Sequence, residues 1–275
     1  MFVKFSTGEN EYTFDLSKPL FVSIPMNFYG NQPNTYNVKT ASAKAYEKDG
    51  FIGDTRKGGG CNFEEYSLIP HCNGTHTECV GHISLERMYV NEILKDSFIA
   101  SALITVAPEK AFETDDTYFP DKNKEDLIIS KRIIEEKLAG AKEDFLEGLI
   151  IRTLPNDDSK MSRKYMELPP PFFSVEAMEY IDRLNVSHLL IDIPSVDRTF
   201  DEGKLTAHHI FWNVQKESND VDKNNHSLKT ITEMIYVPDS VKDGIYLTCI
   251  QIPDFKSDAA PSRIILYKEN LKQNF

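Results

Sequence analysis

The residues best able to do chemistry together lie in one short run, Pro70-His71-Cys72-Asn73-Gly74-Thr75-His76-Thr77-Glu78-Cys79-Val80-Gly81-His82. Three of the chain's seven histidines fall here, beside two cysteines and a glutamate. Cys72, His76, Glu78 and His82 are evenly spaced, and in extended chain even spacing puts side chains on one face. Asn73-Gly74 breaks the strand, so Cys72 could fold back towards the others. Imidazole, carboxylate and thiolate are ligand types that zinc accepts. A polar turn with an incidental buried cysteine is the competing reading, and these residues alone leave both open. A second segment, Leu205-Thr206-Ala207-His208-His209-Ile210-Phe211-Trp212, holds adjacent histidines. On a helix they point about 100° apart, so one faces a given site and the other belongs to its wall or stands behind a ligand. Glu233 sits inside the apolar run Thr230 to Tyr236. Buried there, a carboxylate needs a partner; an outward-facing glutamate on an alternating strand is the plainer alternative.

These segments need a scaffold. Tyr12 to Ser17, Leu20 to Pro25, Tyr66 to Pro70, Phe98 to Ala107, Gly148 to Thr153, His188 to Ile193, Ile231 to Val237, Ile245 to Ile252 and Ile264 to Tyr267 read as strands, apolar and often β-branched. Leu85 to Leu94, capped by Ser84, Lys131 to Ala139, stopped by Gly140, and a helix from the Ser174 cap to about Leu184 have helical spacing. Residues 27 to 62 and 110 to 128 lack a clear period and read as loops that shape a pocket. Lys57-Gly58-Gly59-Gly60-Cys61 lacks the spacing of a phosphate loop and reads as a mobile loop or lid. Strands and helices mix without regular βαβ alternation, which predicts a mixed α and β fold in one main domain, 1–275.

The chain of 275 residues carries a net charge of −12, from 31 Lys and Arg against 43 Asp and Glu. An acidic field repels phosphate backbones and anionic lipid, so neither nucleic acid nor a membrane surface is the expected partner. No apolar run approaches the ~18–20 residues of a membrane span, and the first residues show no apolar signal region. The four cysteines are expected to be reduced. In that context the sequon Asn73-Gly74-Thr75 carries no weight, and a cytoplasmic protein is expected.

The run from Cys72 to His82 resembles the signature of the putative cyclase family, which includes bacterial kynurenine formamidase and reads H-x-G-T-H-x-D-x-P-x-H. Gly74, Thr75, His76 and His82 match in register. Further stretches follow in the family's order. Asp15-Leu16-Ser17 is similar to its N-terminal D-L-S strand, and Ile191-Asp192-Ile193-Pro194-Ser195-Val196-Asp197 to its G-x-D-x-P-S-x-D turn. His208-His209, then Glu233, then the strand Ile245 to Ile252 complete the series. The resemblance covers most of the chain. It implies a swivelling β/β/α fold with a β-barrel-like core and peripheral helices, in homodimers or homotetramers. It also implies a metal-dependent hydrolase, with zinc or sometimes manganese, acting on a carbon–nitrogen bond of a small-molecule amide, formamide or cyclic amide.

Carried over by position, Cys72, His76 and Glu78 would hold a first metal, and Glu78, His208 and Glu233 a second. His82 would be the general acid and base. Three departures stand in the site: Cys72 replaces the family histidine, Glu78 its aspartate and Val80 its proline. His71 could take the first ligand position after a one-residue slip, but a slip turns a strand residue to the opposite face, so Cys72 is the expected ligand. Asp192 and Asp197 could orient a ligand imidazole or cap the turn beside Pro194, and His209 is expected behind the ligands. Phe28, Tyr29 and Trp212, with Phe172 and Phe173, are candidates to wall a substrate pocket. The rebuilt ligand set also admits a non-catalytic small-molecule or metal-binding protein on the same fold.

Overall fold

The computed structural model describes residues 1–7 and 10–270. Nine strands form its main sheet: β1 (Leu20–Phe21), β2 (His76–Cys79), β3 (Ile99–Val106), β4 (Gly148–Thr153), β5 (His188–Ile191), β6 (Thr230–Glu233), β7 (Gly244–Gln251), β8 (Ala259–Pro261) and β9 (Arg263–Lys268). They lie in the order β8-β2-β6-β5-β4-β3-β7-β9-β1. Four helices bear on the argument: α1 (Pro70–Asn73), α2 (Lys131–Leu138), α3 (Val175–Arg183) and α4 (Thr206–Phe211). This is a mixed α/β fold around a curled half-barrel sheet, as the sequence resemblance implied.

The middle of the sheet is more regular than expected. Strands β3, β4, β5 and β6 are parallel neighbours. Successive crossovers carry α2, α3 and α4 in turn, so these are βαβ units after all. Their period was hidden because α4 has six residues and the crossovers hold long irregular stretches. Parallel strands covered on both faces read as continuous apolar runs. Leu149, Ile151, Leu189, Ile191 and Ile231 face the helices, packing with Ile134, Met178, Ile181 and Phe211. Ile150 and Leu190 face the other way, against Val22, Ile235, Tyr246 and Leu266. Helix α2 stops at Gly140, which adopts φ +86°, a left-handed geometry that costs glycine little.

Several expected elements are shorter or differently paired. The Leu85 to Leu94 helix shrinks to one turn, Val90–Ile93, because the Ser84 hydroxyl accepts from the Glu86 N–H and closes a local turn. Residues 27–62 contain paired strands rather than loop alone: Ser42–Ala45 pairs with Glu64–Ser67, and Glu47–Lys48 with Phe51–Ile52. Their mostly exposed side chains leave no apolar alternation to read. Phe172 and Phe173 are core residues, paired with Ile128 and Ile129.

The segment expected as a strand from Leu20 to Pro25 changes partner midway. Val22 N–H donates to Ile264 O at 3.1 Å while Val22 O accepts from Tyr236 N–H at 2.7 Å. Ser23 bridges Ile235, and Ile24 N–H donates to Thr75 Oγ1 at 2.8 Å. The chain therefore leaves β9 at one edge and joins residues beyond β6 and before β2 near the other, which draws the curl together. Among the described residues, no helix is long and apolar enough to cross a membrane.

Leu190 is fully buried in the face away from the helices. Leu190→Ala is expected to cost about 2–5 kcal/mol in denaturant unfolding. A cost below about 1 kcal/mol would mean that this face is not close-packed.

Candidate metal centre

The site lies where the parallel strands end and the sheet changes direction. Thr153 closes β4, Asp192 follows β5 and Glu233 closes β6, the strand ends where open α/β sheets place their ligands. Strand β2 then runs antiparallel to β6, and its register sets His76 directly opposite Glu233 and Glu78 opposite Ile231. Directly opposed residues share a face, so His76, Glu78 and Glu233 point together. All three are buried. Three threonines fix this pairing. Thr77 Oγ1 meets Thr232 Oγ1 at 2.8 Å, and the Thr75 hydroxyl donates to Met234 O at 2.5 Å while accepting from Ile24.

His208 comes from α4. Asp197 accepts from the Ala207 N–H at 2.6 Å and the His208 N–H at 3.2 Å, so it caps the helix start. It also takes the His208 Nδ1–H at 2.5 Å and the Tyr118 hydroxyl at 2.6 Å. Asp197 thus meets the His208 imidazole and caps α4, rather than the turn beside Pro194, and His208 Nε2 is turned towards Glu78 Oε1 at 2.9 Å and Glu233 Oε1 at 3.8 Å. His76 Nδ1 donates to Gly74 O at 3.0 Å and leaves Nε2 facing Glu233 Oε2 at 3.3 Å.

The expected first ligand is where the structure departs from the parity of the sequence. Pro70 opens α1, a single helical turn that Asn73 secures by accepting the Ile69 N–H at 2.7 Å. Side chains on a helical turn do not alternate, so strand parity does not govern residues 70–73. His71 reaches Glu78 Oε2 at 3.4 Å, its ring stacked on His82 at 4.5 Å between centroids. Among the described residues, three groups of ligand atoms lie within 4.8 Å of one another: His76, Glu78 and Glu233; Glu78, His82 and His208; and His71, His82 and Asp258. Cys72 joins none of them. Its thiol is buried near Glu233, and burial followed by that charge pushes its pKa up to about 11.

Two carboxylates buried together cannot both ionise cheaply. Burial raises the Glu233 pKa well above the ordinary range and the charge of Glu78 raises it further. Burial also opposes the charge on Glu78, but His82 and the hydrogen bond from His208 outweigh it and hold the pKa down. For His208 burial opposes the imidazolium, and its bonds to Asp197 and Glu78 win. His71 Nε2, His76 Nε2 and Glu78 Oε2 are buried atoms without a hydrogen-bond partner. Unpartnered buried acceptors are rare and call for an explanation, and imidazoles and carboxylates converging in this way suit a divalent cation.

The remaining expected residues divide. Trp212 is buried and lies against the site, its ring 5.1 Å from His208 and 6.5 Å from His82. Phe28 instead packs on Tyr66 at 4.8 Å, and Tyr29 is 68% exposed, its hydroxyl on Glu64. His209 is buried but joins none of the three groups. Asp192 orients no imidazole: it accepts from Thr153 N–H at 2.9 Å and Oγ1 at 2.8 Å and from Lys160 Nζ at 2.7 Å. This fully buried ion pair ties β4 to the loop that carries Asp197. Sequence reading missed Asp258, Lys160 and Tyr36, which sit in unpatterned stretches. Partial burial and the charges of Asp201 and Glu233 push the Tyr36 hydroxyl up to about 12, so it stays a donor.

The fold is that of solved cyclase-type structures. Residues 14–198 match the family model described as "Putative cyclase", and the chain belongs to that family. Among solved structures it is similar to a Bacillus stearothermophilus protein described as a predicted metal-dependent hydrolase, with 17% identity and a TM-score of 0.55 over 91% of this chain and 98% of that one. It is also similar to isatin hydrolase A from Labrenzia aggregata, with 13% identity and a TM-score of 0.58 over 92% and 94%. A protein described as a novel cyclase gives 11% identity and a TM-score of 0.59 over 93% and 90%. No curated protein matches the sequence.

Lys160→Met leaves the Asp192 charge buried without its partner, and is expected to lower stability by about 3–5 kcal/mol. Lys160→Met with Asp192→Asn should recover part of that loss. If the single variant unfolds like the wild type, the pair is not what holds this loop.

Proposed function

We propose that the protein is a metal-dependent hydrolase that cleaves a carbon–nitrogen bond in a small amide, formamide or cyclic amide. The observation that carries this reading is the convergence of imidazole and carboxylate groups from separate segments, among which the buried atoms His71 Nε2, His76 Nε2 and Glu78 Oε2 lack hydrogen-bond partners. His76, Glu78, His208 and Glu233 would hold the cation, zinc or manganese. Cys72, carried over as a ligand by position, would instead line the wall beside Glu233. The bound cation would supply Lewis acidity, polarising a carbonyl and making water nucleophilic near neutral pH.

The chain's own residues prepare that chemistry. Asp197 and Gly74 O each take an Nδ1–H, so Nε2 is the nitrogen that His208 and His76 would offer a cation, His208 giving up the proton it shares with Glu78. Orienting partners of this kind are typical behind ligand histidines. Trp212 closes the side against His208 and His82 and keeps water from it. His82 is 27% exposed at the mouth, where an imidazole can carry a proton. In the net reaction a water oxygen bonds to the carbonyl carbon, the carbon–nitrogen bond breaks, and a water proton passes through His82 to the leaving nitrogen.

Isatin, named for one of the structural relatives, is a cyclic amide and makes a natural first substrate beside aryl formamides. The resemblance also supports a single hydrolase domain working as a homodimer or homotetramer.

Elemental analysis of protein purified without chelator is expected to find zinc or manganese at one or more per chain. His76→Gln should lower that content, whereas Cys72→Ser should leave it unchanged. His82→Ala should keep the metal and lose about 10²–10⁴-fold in turnover. Protein that takes up no transition metal, even with zinc added, would overturn the hydrolase reading in favour of a non-catalytic binding protein.

A further inference from the structure

Among the aromatic residues of the segment 27–62, Phe28 and Tyr29 are turned to Tyr66 and Glu64, but Tyr36 is turned to the metal centre. It stands at the tip of a turn that the Val38 N–H closes on Thr35 O at 3.5 Å. Tyr36 and Asn37 hold φ of +54° and +51°. A turn left-handed at both central positions favours Gly, Asn and Asp, and a bulky residue there is strained. Strain of this kind persists only where the surroundings over-determine it, and it gathers at functional sites.

The surroundings here do over-determine it. Gln32, Asn34 and Thr35 are buried although polar. The Gln32 amide donates to Asn27 O at 2.9 Å and Ala41 O at 3.0 Å, and accepts from the Ala41 N–H at 2.7 Å. Asn34 Nδ2 donates to Val38 O across the turn at 3.0 Å. The Asn34 N–H donates to Arg163 O at 3.0 Å, and Asn34 O accepts from the Tyr165 N–H at 2.9 Å. Two more bonds clamp the turn to α1 on either side of Tyr36: Thr35 N–H to Cys72 O at 3.3 Å and Asn73 Nδ2 to Lys39 O at 3.2 Å. Yet the side chain so held is 51% exposed. A turn anchored only for packing would bury that ring.

The hydroxyl of Tyr36 feels the charges of Asp201, Glu233, Cys72 and Asp197. These groups belong to the segment between β5 and α4, the end of β6, and α1, so the hydroxyl lies where the three converge. Burial, not a hydrogen bond within the protein, is the largest influence on it, and it remains protonated at neutral pH. We propose that Tyr36 is a catalytic residue of this centre, its hydroxyl donating to the carbonyl oxygen of the substrate. The inference rests on the proposed hydrolysis and adds a residue to it. As water adds to the carbonyl carbon, an electron pair of the C=O bond passes to the oxygen, and the Tyr36 O–H meets the charge that develops there. When the carbon–nitrogen bond breaks, an oxygen pair re-forms the C=O bond. The proton stays on Tyr36 throughout, and the leaving nitrogen takes its own through His82. Because the turn is fixed before substrate arrives, the donor need not reorganise.

Tyr36→Phe keeps the ring and the turn and removes only the hydroxyl. Its zinc content and denaturant unfolding are expected to match those of the wild type. With isatin or an aryl formamide as substrate, kcat should fall about 10²–10³-fold, as when an oxyanion donor is removed, while KM changes little. Calorimetric binding of isatinate, the carboxylate that ring opening of isatin yields, should weaken about tenfold or more in the variant, since a hydrogen bond to a charged oxygen is lost. A variant that turns over as fast as the wild type would overturn the role of Tyr36 and leave the hydrolase reading standing. A raised KM at unchanged kcat would also overturn it, because the contact would then be made equally to substrate and transition state. Loss of zinc or of stability in Tyr36→Phe would mark a structural role instead. Metal-loaded wild type inert on isatin and aryl formamides alike would overturn the proposed hydrolysis, and the role of Tyr36 with it.

Discussion

Two glutamates of opposite strands, Glu78 and Glu233, are buried side by side, and most of the surrounding architecture answers that one electrostatic problem. A carboxylate removed from water costs several kcal/mol unless it is paired and hydrogen-bonded. The structure supplies three kinds of compensation. His208 donates to Glu78, the Val196 N–H reaches Glu233 Oε1 at 3.2 Å, and His76, His71 and His82 crowd the remaining oxygens. What hydrogen bonds leave unmet is what a divalent cation would neutralise. Sites that hold charge in this way are pre-formed for chemistry, because their dipoles need not reorganise when charge develops.

The cluster holds its shape because its members sit on elements locked from behind. Asp197 joins α4 to the loop after β5 through both a helix cap and the His208 ring. Lys160 and Asp192 pin the same loop to the end of β4. Thr75 gathers β2, the turn after β6 and Ile24 at a single hydroxyl. That last junction is also where the chain from β1 crosses to the other half of the sheet, so the curl of the sheet and the spacing of the ligands are set together.

Much of this was legible in order along the chain. The apolar runs of β3, β4, β5 and β7 announced a buried sheet. Ser174 announced a helix start, and its hydroxyl accepts from the Ala177 N–H as a cap should. His76, Glu78, His208 and Glu233 stood out by residue type and by family resemblance. Asp197 was ambiguous because capping a turn and orienting an imidazole call for the same residue; here it meets the imidazole and caps α4, not the turn beside Pro194. Phe28 and Tyr29 were misplaced because aromatic side chains give no directional signal of their own. Their partners, Tyr66 and Glu64, come from a hairpin whose exposed strands carry no alternation.

The sequence by itself determined which side chains were available for the site, and which of them alternate to one face of β2. It did so because side-chain direction in a regular strand follows from position alone. Only the tertiary structure sets His71 rather than Cys72 beside Glu78, since residues 70–73 form a helical turn, and parity has no meaning there. Only the tertiary structure brought Asp258 to the mouth of the site, through a strand pairing that joins Glu78 to Ala259 across most of the chain's length. Long-range pairing and the irregular turns beside it are fixed by the packing of the whole sheet. No local pattern of residues encodes them.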